Sequence, residues 1–565
     1  MQKVLTAAEM REVDRLTTEK YGIPSVILME NAAHAVAEVI TEKLDGSVKD
    51  RSILILCGKG NNGGDGAALA RILGQNGAFV EIFLLGKIHE TKGNARTNFE
   101  VLSHDEDFAA DGVFIGRFAE LREIESKEEW EDFHSRQSAP PDMVIDAIFG
   151  TGLSRPLDVW AGNIVHALNF AKGNPLGNGL YVSIDLPSGL HADSAEALSE
   201  PFDADVTVTF TAPKPANVLP GAVSFNGELF VRDIGSPSNL IDEQTSQLYV
   251  TEPSDVAEWV DHSQYSSESY KNKRGHTLII AGSESYSGAA VLCGNAAMRS
   301  GVGLVSIGTP LSSKDSIASR VLPEVMVRPL AETEAGAVSE EAIAEVEELL
   351  NHVDAIAIGS GLSAKDESTE SFVRHFVEHR RMPTILDADA LTLLSPFATR
   401  VSSPHVSKGS GKAGETEDSF ADTAPLILTP HEGEFLRLLG TNDKNAIKDR
   451  VAAVREFAQK HQVILVLKGE RVLIGEPGGK VVVNPTGNSG LGKAGTGDTL
   501  TGIIAGFAAQ AAAMKIDMFE TVVAAVYLAG LAGDIAEKKF GKRVMTASDV
   551  RDCLTEAFAA VGGTG

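Results

Sequence analysis

Two glycine-rich turns hold the residues best suited to chemistry. The first, "CGKGNNGGDGAALAR" (57–71), sets Asn61, Asn62 and Asp65 among glycines, including Gly63 and Gly64. Such a turn lets the backbone approach a phosphate or ribose closely, at the start of a helix whose free N–H groups favour anions. The second, "GNSGLGKAGTGDTLTG" (487–502), admits two readings. Gly487 to Lys493 spells G-x-x-x-x-G-K, the opening of a Walker loop, which needs Ser or Thr next to hold Mg2+. Ala494 stands there and has no oxygen to give. The long helix, expected over 498–510, also begins too late for that loop. The other reading explains more. Gly495, Thr496 and Gly497 aim backbone N–H groups at one spot and form an anion hole for a phosphate in transfer. Asp498 at its mouth takes the proton of an attacking hydroxyl. A plain helix cap is the alternative for this Asp.

Other polar residues sit at the ends of apolar, strand-like runs. Asp146 opens "DAIFGTGLSRP" (146–156), and "IDLPSG" (184–189) holds Asp185 and Ser188. Asn62, Asp146 and Ser188 make a hard oxygen set suited to a monovalent or divalent cation. Asp185 suits an acid or base role. Lys214 in "TFTAPKPAN" (209–217) reads equally as a phosphate contact or a solvated lysine. In the second half, "KGERVLIG" (468–475) offers a Lys-Gly turn for nucleotide phosphates, and "TPHEGEF" (429–435) carries His431 and Glu434. "GSGLS" (359–363) and "GSESYSGAAVL" (282–292) add glycine turns. "LDADAL" (386–391) adds two acids that could orient Mg2+-bound water.

These loops need strands and helices to converge. "SILILCG", "FVEIFLLG", "DMVIDAIFGTG", "LYVSIDLPSG" and "ADVTVTFTAPK" alternate with helical stretches. That pattern predicts an α/β domain with a mainly parallel sheet, whose ligands bind at the strands' carboxyl ends. The 565 residues exceed one ordinary core, so two or three domains are expected. The alternation breaks after Ser236 in a polar, Ser-rich stretch and resumes at "HTLIIAGS" (276–283). We expect a first domain over 1–235, a linker or border over 236–270, and a second α/β domain over 271–565. Residues 403–424, without apolar period, read as an insertion. The N-terminus reads as an amphipathic helix with a capping box from Thr6 to Glu9, not as a signal peptide.

Net charge is −28, from 78 acids against 50 bases, which disfavours polyanionic partners such as nucleic acid or an acidic membrane. Three separated cysteines without C-x-x-C argue against a zinc site and suit a reducing compartment, so a cytoplasmic location is expected. The apolar run at 521–533 is read as too short to span a bilayer.

"GKGNNGGDG", "DAIFGTGLSRP" and "SIDLPSGLHAD" together resemble the epimerase domain of the NAD(P)H-hydrate repair enzymes. "TPHEGE", "VLKG" and "AGTGDTLTGIIAG" resemble that family's dehydratase domain, a relative of ribokinase-like kinases, over about 270–560. The resemblance implies a Rossmann-like three-layer domain followed by a ribokinase-like α/β domain. It implies interconversion of R- and S-NAD(P)HX, the hydrated cofactor, then dehydration of the S form with ADP or ATP and Mg2+. The implied epimerase site binds hydrate through Asn61, Asn62, Gly63, Gly64 and Asp65, and through Gly150, Thr151, Gly152, Leu153, Ser154, Arg155 and Pro156. Asp185 handles the proton there, and K+ is held by Asn62, Asp146 and Ser188. The implied dehydratase site meets hydrate at Ala289, Gly361 and His431. It holds nucleotide at Lys468, Gly469, Glu470, Arg471, Val472, Gly495, Thr496 and Gly497, with Asp498 as base. A homo-oligomer is also implied, and the Ala-rich helices at 521–537 could serve as interface or as core. Read without the resemblance, the G-x-G-D motif fits equally a ribokinase-like small-molecule kinase carrying a Rossmann-like binding domain. A non-catalytic scaffold is a third reading, disfavoured by the intact Gly497 and Asp498.

Overall fold

The computed structural model describes residues 1–103, 107–109, 113–115, 118–130, 140–173, 179–265, 270–363, 366–398 and 424–562. The expected insertion at 403–424 lies outside the described residues except for its last position. The chain divides into two units, Gln2–Ser246 and Gln247–Gly565, with Met1 grouped with the second.

In the first unit the strand order is Glu228–Arg232, Val206–Phe210, Leu180–Ile184, Met143–Ala147, Ser52–Cys57, Phe79–Leu85, Glu120–Ile124, Val113–Ile115, Asp107–Ala109. Pairing is parallel from the first of these to Glu120–Ile124 and antiparallel for the last two. The chain winds outward in both directions from Ser52–Cys57, so a crevice opens where that strand ends. Both faces of the sheet are covered. Val36, Ile40, Leu69 and Leu73 pack on one side, and Trp130, Ile164 and Leu168 on the other. The capping box at Thr6 and Glu9 forms, and starts helix Ala7–Tyr21.

The second unit is built on a sheet ordered Leu248–Val250, Val481–Val483, Leu473–Gly475, Ile464–Leu467, Leu426–Leu428, Thr384–Leu386, Ala355–Ile358, His276–Ile280, Leu304–Pro310, Met326–Leu330. From Ile464–Leu467 to Met326–Leu330 neighbours are parallel. The run "VILVLKGERVLIG" is an antiparallel hairpin with Lys468 to Val472 at its turn.

Three expectations are corrected, and one stretch is filled in. The stretch 236–270, read as a linker or border, carries elements of its own. It forms helix Ser238–Asp242, strand Leu248–Val250 and helix Pro253–His262, because Leu240, Leu248, Val250, Val256 and Trp259 find buried positions among polar neighbours. The first glycine-rich turn is shorter than its sequence suggests. Helix Asn61–Gln75 begins at Asn61, so Asn61 to Asp65 project from helical turns rather than a loop. Its glycines serve close approach: a Cβ on Gly63 would lie 1.8 Å from the Gly58 carbonyl oxygen. The second helix, Thr496–Met514, likewise starts two residues earlier than expected. Gly495, at φ +88°, turns the chain in the left-handed region and caps it, so Asp498 stands inside the first turn and is no N-cap. Finally, the apolar run at 521–533 belongs to a longer helix, Met518–Phe540. Its 23 residues suffice by length and composition to cross a membrane, and 72% of its most apolar window is buried within the structure. Val522, Ala525, Leu528 and Ala532 fill the second unit's core, so packing in that core accounts for its apolar character.

Tight packing fixes helix Thr496–Met514. Phe507 stacks on Trp259 at 4.2 Å, and the Trp259 indole N–H donates to Thr521 at 2.9 Å. Helix Ser287–Arg299 runs so close that a Cβ on Gly502 would sit 2.1 Å from the Cys293 carbonyl oxygen. Gly502→Ala is therefore expected to push the two helices apart and destabilise the second unit by about 2 kcal/mol, read as a lowered midpoint in denaturant unfolding.

Candidate functional site

Each unit gathers its polar residues at the carboxyl ends of its parallel strands. In the first unit, Asp185 follows strand Leu180–Ile184 with φ +68°, a strained conformation for a residue with a side chain. Its amide donates to the Val208 carbonyl at 2.8 Å, and the Asn217 side chain donates to its carbonyl at 3.3 Å. Those bonds hold the strain and aim the carboxylate. Asp185 Oδ1 accepts from Lys214 Nζ at 2.7 Å and Thr209 Oγ1 at 3.0 Å. Its Oδ2 accepts from the Thr151 amide at 3.3 Å. Lys214 is fully buried, so the solvated reading of that lysine is wrong. Its other two donors reach Thr209 Oγ1 at 2.8 Å and the Phe210 carbonyl at 3.1 Å. A buried ammonium with every proton placed fits a fixed countercharge.

Asn62 and Gly150 complete this corner. A Cβ on Gly150 would meet Asp185 Oδ2 at 2.8 Å and Asn62 Oδ1 at 3.3 Å, so glycine keeps the space between them open. The Asn62 side chain is buried, yet neither its oxygen nor its nitrogen has a partner. Such an orphaned amide points to a ligand. Asp146 and Ser188 are joined directly: Ser188 donates through Oγ at 2.6 Å and through its amide at 2.7 Å. Burial pushes the Asp146 carboxyl up to about 6, against the pull of these bonds. Burial also holds Asp65 well above the usual carboxylate range, and the nearby Asp185 and Asp14 carboxylates add to it. Leu153 packs inward, whereas Gly152, Ser154, Arg155 and Pro156 are exposed further along the loop.

In the second unit, Asp387 is the hub. It is buried and accepts Lys468 Nζ at 2.7 Å, Thr429 Oγ1 at 2.8 Å and Thr501 Oγ1 at 2.8 Å. Lys468 Nζ lies 3.4 Å, and Asp387 Oδ2 3.8 Å, from where a Gly497 Cβ would stand, so the lysine borders the anion hole. Burial works against the Lys468 charge, yet Asp387 and Glu434 hold its ammonium above the ordinary value. Burial pushes Asp498 up to about 6. Ser360 tempers the shift from beside it, outside hydrogen-bonding geometry, and Asp387 adds to it. Ala289 and Gly361 are neighbours, since a Cβ on Gly361 would lie 3.0 Å from that of Ala289. His431 caps helix Glu432–Leu438 through Nδ1, accepting from Gly433 at 3.0 Å, and its ring is largely exposed. Arg471 turns away and donates to the Pro485 carbonyl. Lys493 donates to the Arg543 and Met545 carbonyls, both at 2.7 Å, so it braces the turn and stays off the phosphate position.

Comparison with known proteins follows this division. The family described as YjeF-related protein N-terminus matches residues 25–216, and the NAD(P)H-hydrate dehydratase family matches 277–556. A bifunctional NAD(P)H-hydrate repair enzyme from Moorella thermoacetica is 37% identical over 98% of this chain and 96% of its own length. The chain belongs to the bifunctional NAD(P)H-hydrate repair enzymes. Among solved structures, the ADP/ATP-dependent NAD(P)H-hydrate dehydratase of Bacillus subtilis, crystallised with ATP and Mg2+, is 32% identical. It covers 54% of this chain and 97% of its own, with a TM-score of 0.42. A ribokinase-like superfamily protein from Enterococcus faecalis is 26% identical, covering 57% and 99% with a TM-score of 0.44.

For this repair-family chain, the structure brings together Asn62, Gly150, Thr151 and Asp185 in one unit, and Lys468, Gly497 and Asp498 in the other. It gives new roles to two residues and adds three threonines absent from the sequence reading. Lys214 and Thr209 hold Asp185; Thr429 and Thr501 hold Asp387. Asp387 had been read only as a Mg2+-water acid. Its signal was the first of two acids directly after a buried strand, 81 residues ahead of the lysine that pairs with it.

The raised Asp498 carboxyl has a stability consequence. Unfolded, it ionises near its ordinary 3.8; folded, it keeps its proton to about 6. The folded state therefore loses stability as pH rises through this window, and none of the cost exists below it. Asp498→Asn is expected to unfold later than wild type at pH 7.5, by about 1–2 kcal/mol, with the difference vanishing below pH 4. Thermal melts of both proteins across pH check this.

Proposed function

We propose that the first unit epimerises R- and S-NAD(P)HX and that the second dehydrates S-NAD(P)HX to NAD(P)H at the expense of ADP or ATP. The observation that carries the second half is Asp498, half-buried beside Lys468 and Gly497 at the mouth of a helix N-terminus. Hydroxide is a poor leaving group and phosphate a good one. Asp498 takes the proton of the hydrate's hydroxyl as that oxygen attacks the terminal phosphorus of the nucleotide. The backbone N–H groups of the Gly495–Gly497 turn and the Lys468 ammonium balance the charge gathering on the phosphoryl oxygens. Mg2+, carried on the nucleotide phosphates, neutralises charge there. Phosphate then leaves with the substrate's oxygen and its bonding pair. The neighbouring carbon gives up a proton, and the ring double bond is restored. A carboxyl raised toward neutrality is a stronger base than an exposed one, yet is still ionised at pH 7.

In the first unit, Asp185 moves the hydrate's hydroxyl proton as a bond to the hydroxyl-bearing carbon breaks, by ring opening or reversible loss of the hydroxyl, and re-forms on the other face, with Lys214 as its fixed countercharge. The unpartnered Asn62 amide, with Asp146 and Ser188, supports a potassium site beside the hydrate. K+ there would supply a fixed positive charge and oxygen-coordinating geometry. Cys57, Cys293 and Cys553 are all free and buried, which supports a reducing, cytoplasmic setting.

The decisive assay supplies chemically hydrated NADH with ADP or ATP and follows absorbance at 340 nm. NADH should be regenerated. Phosphate transfer to a stable alcohol without NADH recovery would instead favour a small-molecule kinase. Asp498→Asn is expected to slow dehydration by about 100-fold or more while R/S interconversion continues. Loss of both activities in a folded variant would refute the two-site assignment. Replacing K+ by a bulky organic cation should slow interconversion in wild type and have no further effect in Asn62→Ala.

A further inference from the structure

A lysine ammonium ends a flexible stem and has three rotatable donors, so its position is set by what it binds. Lys468 Nζ binds Asp387 at 2.7 Å, and Asp387 is itself held with unusual care. It follows strand Thr384–Leu386, and the next residue, Ala388, has φ +50°, in the range that side chains rarely adopt. Gly359 packs against the other side, where a Cβ would lie 1.8 Å from the Asp387 carbonyl oxygen. Such strain persists only where the surroundings fix it, and it gathers at functional sites. The carboxylate is fixed as firmly as the backbone. Thr429 Oγ1 donates to Oδ1 at 2.8 Å, beside the lysine, and Thr501 Oγ1 donates to Oδ2 at 2.8 Å.

Thr501 lies on helix Thr496–Met514, four residues beyond Gly497, so the two share one face of the helix. Asp387 Oδ2, which accepts the Thr501 hydroxyl, lies 3.8 Å from where a Gly497 Cβ would stand, and Lys468 Nζ lies 3.4 Å from it. A chain of three contacts thus runs from the helix through Thr501 and Asp387 to Lys468, and returns to the helix at Gly497. We propose that Thr501 is a positioning residue of the phosphoryl-transfer step: through Asp387 it locks the Lys468 ammonium in register with the anion hole at the helix start. This rests on the reading that the second unit phosphorylates S-NAD(P)HX with ADP or ATP. Thr501 is buried and its hydroxyl is engaged by Asp387, so it acts through the lysine and not on the nucleotide. Charge held in a fixed place helps most where charge gathers, which is in the transition state. Loss of register therefore lowers kcat and spares KM.

The test uses the full-length protein with S-NADHX and either ADP or ATP, followed at 340 nm. Thr501→Val replaces the hydroxyl by a methyl group of similar size. It is expected to lower kcat about tenfold and to change KM for the nucleotide by less than about twofold. Thr501→Ser returns the hydroxyl and should bring kcat back to within about twofold of wild type. A residue that merely packs would need its methyl group, so an active Thr501→Val with an impaired Thr501→Ser overturns the proposal. A raised KM at constant kcat also overturns it. In Lys468→Met no ammonium is left to position, and adding Thr501→Val should lower the single-turnover rate by less than about twofold. A further tenfold loss there shows that Thr501 acts without the lysine and refutes the chain of contacts. Thr429→Val loosens the same carboxylate from another element. It should likewise lower kcat and spare KM, and it carries the test if Thr501→Val does not fold. If wild type itself regenerates no NADH, the dehydratase reading falls, an outcome separate from any ratio of variant to wild type.

Discussion

A buried ammonium must keep a carboxylate beside it, and each unit of this chain is organised around one such pair. Lys214 and Asp185 stand 2.7 Å apart in the first unit; Lys468 and Asp387 stand 2.7 Å apart in the second. Taking a lone charge out of water costs several kcal/mol, so neither partner can leave while the other stays. The pairs therefore set fixed points at strand ends that would otherwise be free to rearrange. In the first unit the pair sustains the left-handed backbone of Asp185, which no glycine relieves. In the second it fills both oxygens of Asp387 with Lys468, Thr429 and Thr501, tying three elements of the sheet and helix Thr496–Met514 to one carboxylate.

The same economy explains why the reactive groups differ from their anchors. Among the described residues Asp387 draws three donors, whereas Asp498, one helical turn from Thr501, has Ser360 beside it and keeps its proton to about 6. A saturated carboxylate is a strut, whereas an under-supplied one can exchange a proton. Asp185 lies between these extremes. Its Oδ1 is supplied by lysine and threonine, while its Oδ2 has only a long contact with the Thr151 amide and faces the space kept open by Gly150.

Much of this was legible in the sequence because the alternation of apolar runs and polar turns is strong. The strands, their order of appearance and the two glycine turns follow from period and punctuation. Helix starts were misplaced in both turns for one reason. Glycines argue against helix by propensity, yet Gly63 and Gly497 lie inside helices because tight backbone approach or an open phosphate position outweighs that cost. The stretch at 236–270 misled in the opposite way, since a few apolar residues spaced among serines suffice to build short elements once a sheet edge or groove receives them. The partners of Asp185 and Asp387 were unreadable because pairing across 29 or 81 residues is a property of topology.

The brace made by Lys493 bears on how the molecule comes into being. Its ammonium closes on the carbonyls of Arg543 and Met545, 50 and 52 residues further along the chain. During synthesis the phosphate-facing turn can be drafted as soon as residue 498 emerges, but its far side is not pinned until about fifty more residues have followed. The first unit has by then had all its residues for the length of nearly three hundred further residues. A nascent chain would thus own a finished first site long before the second could accept a nucleotide, and a ribosome stalled near residue 540 would carry only the earlier of the two.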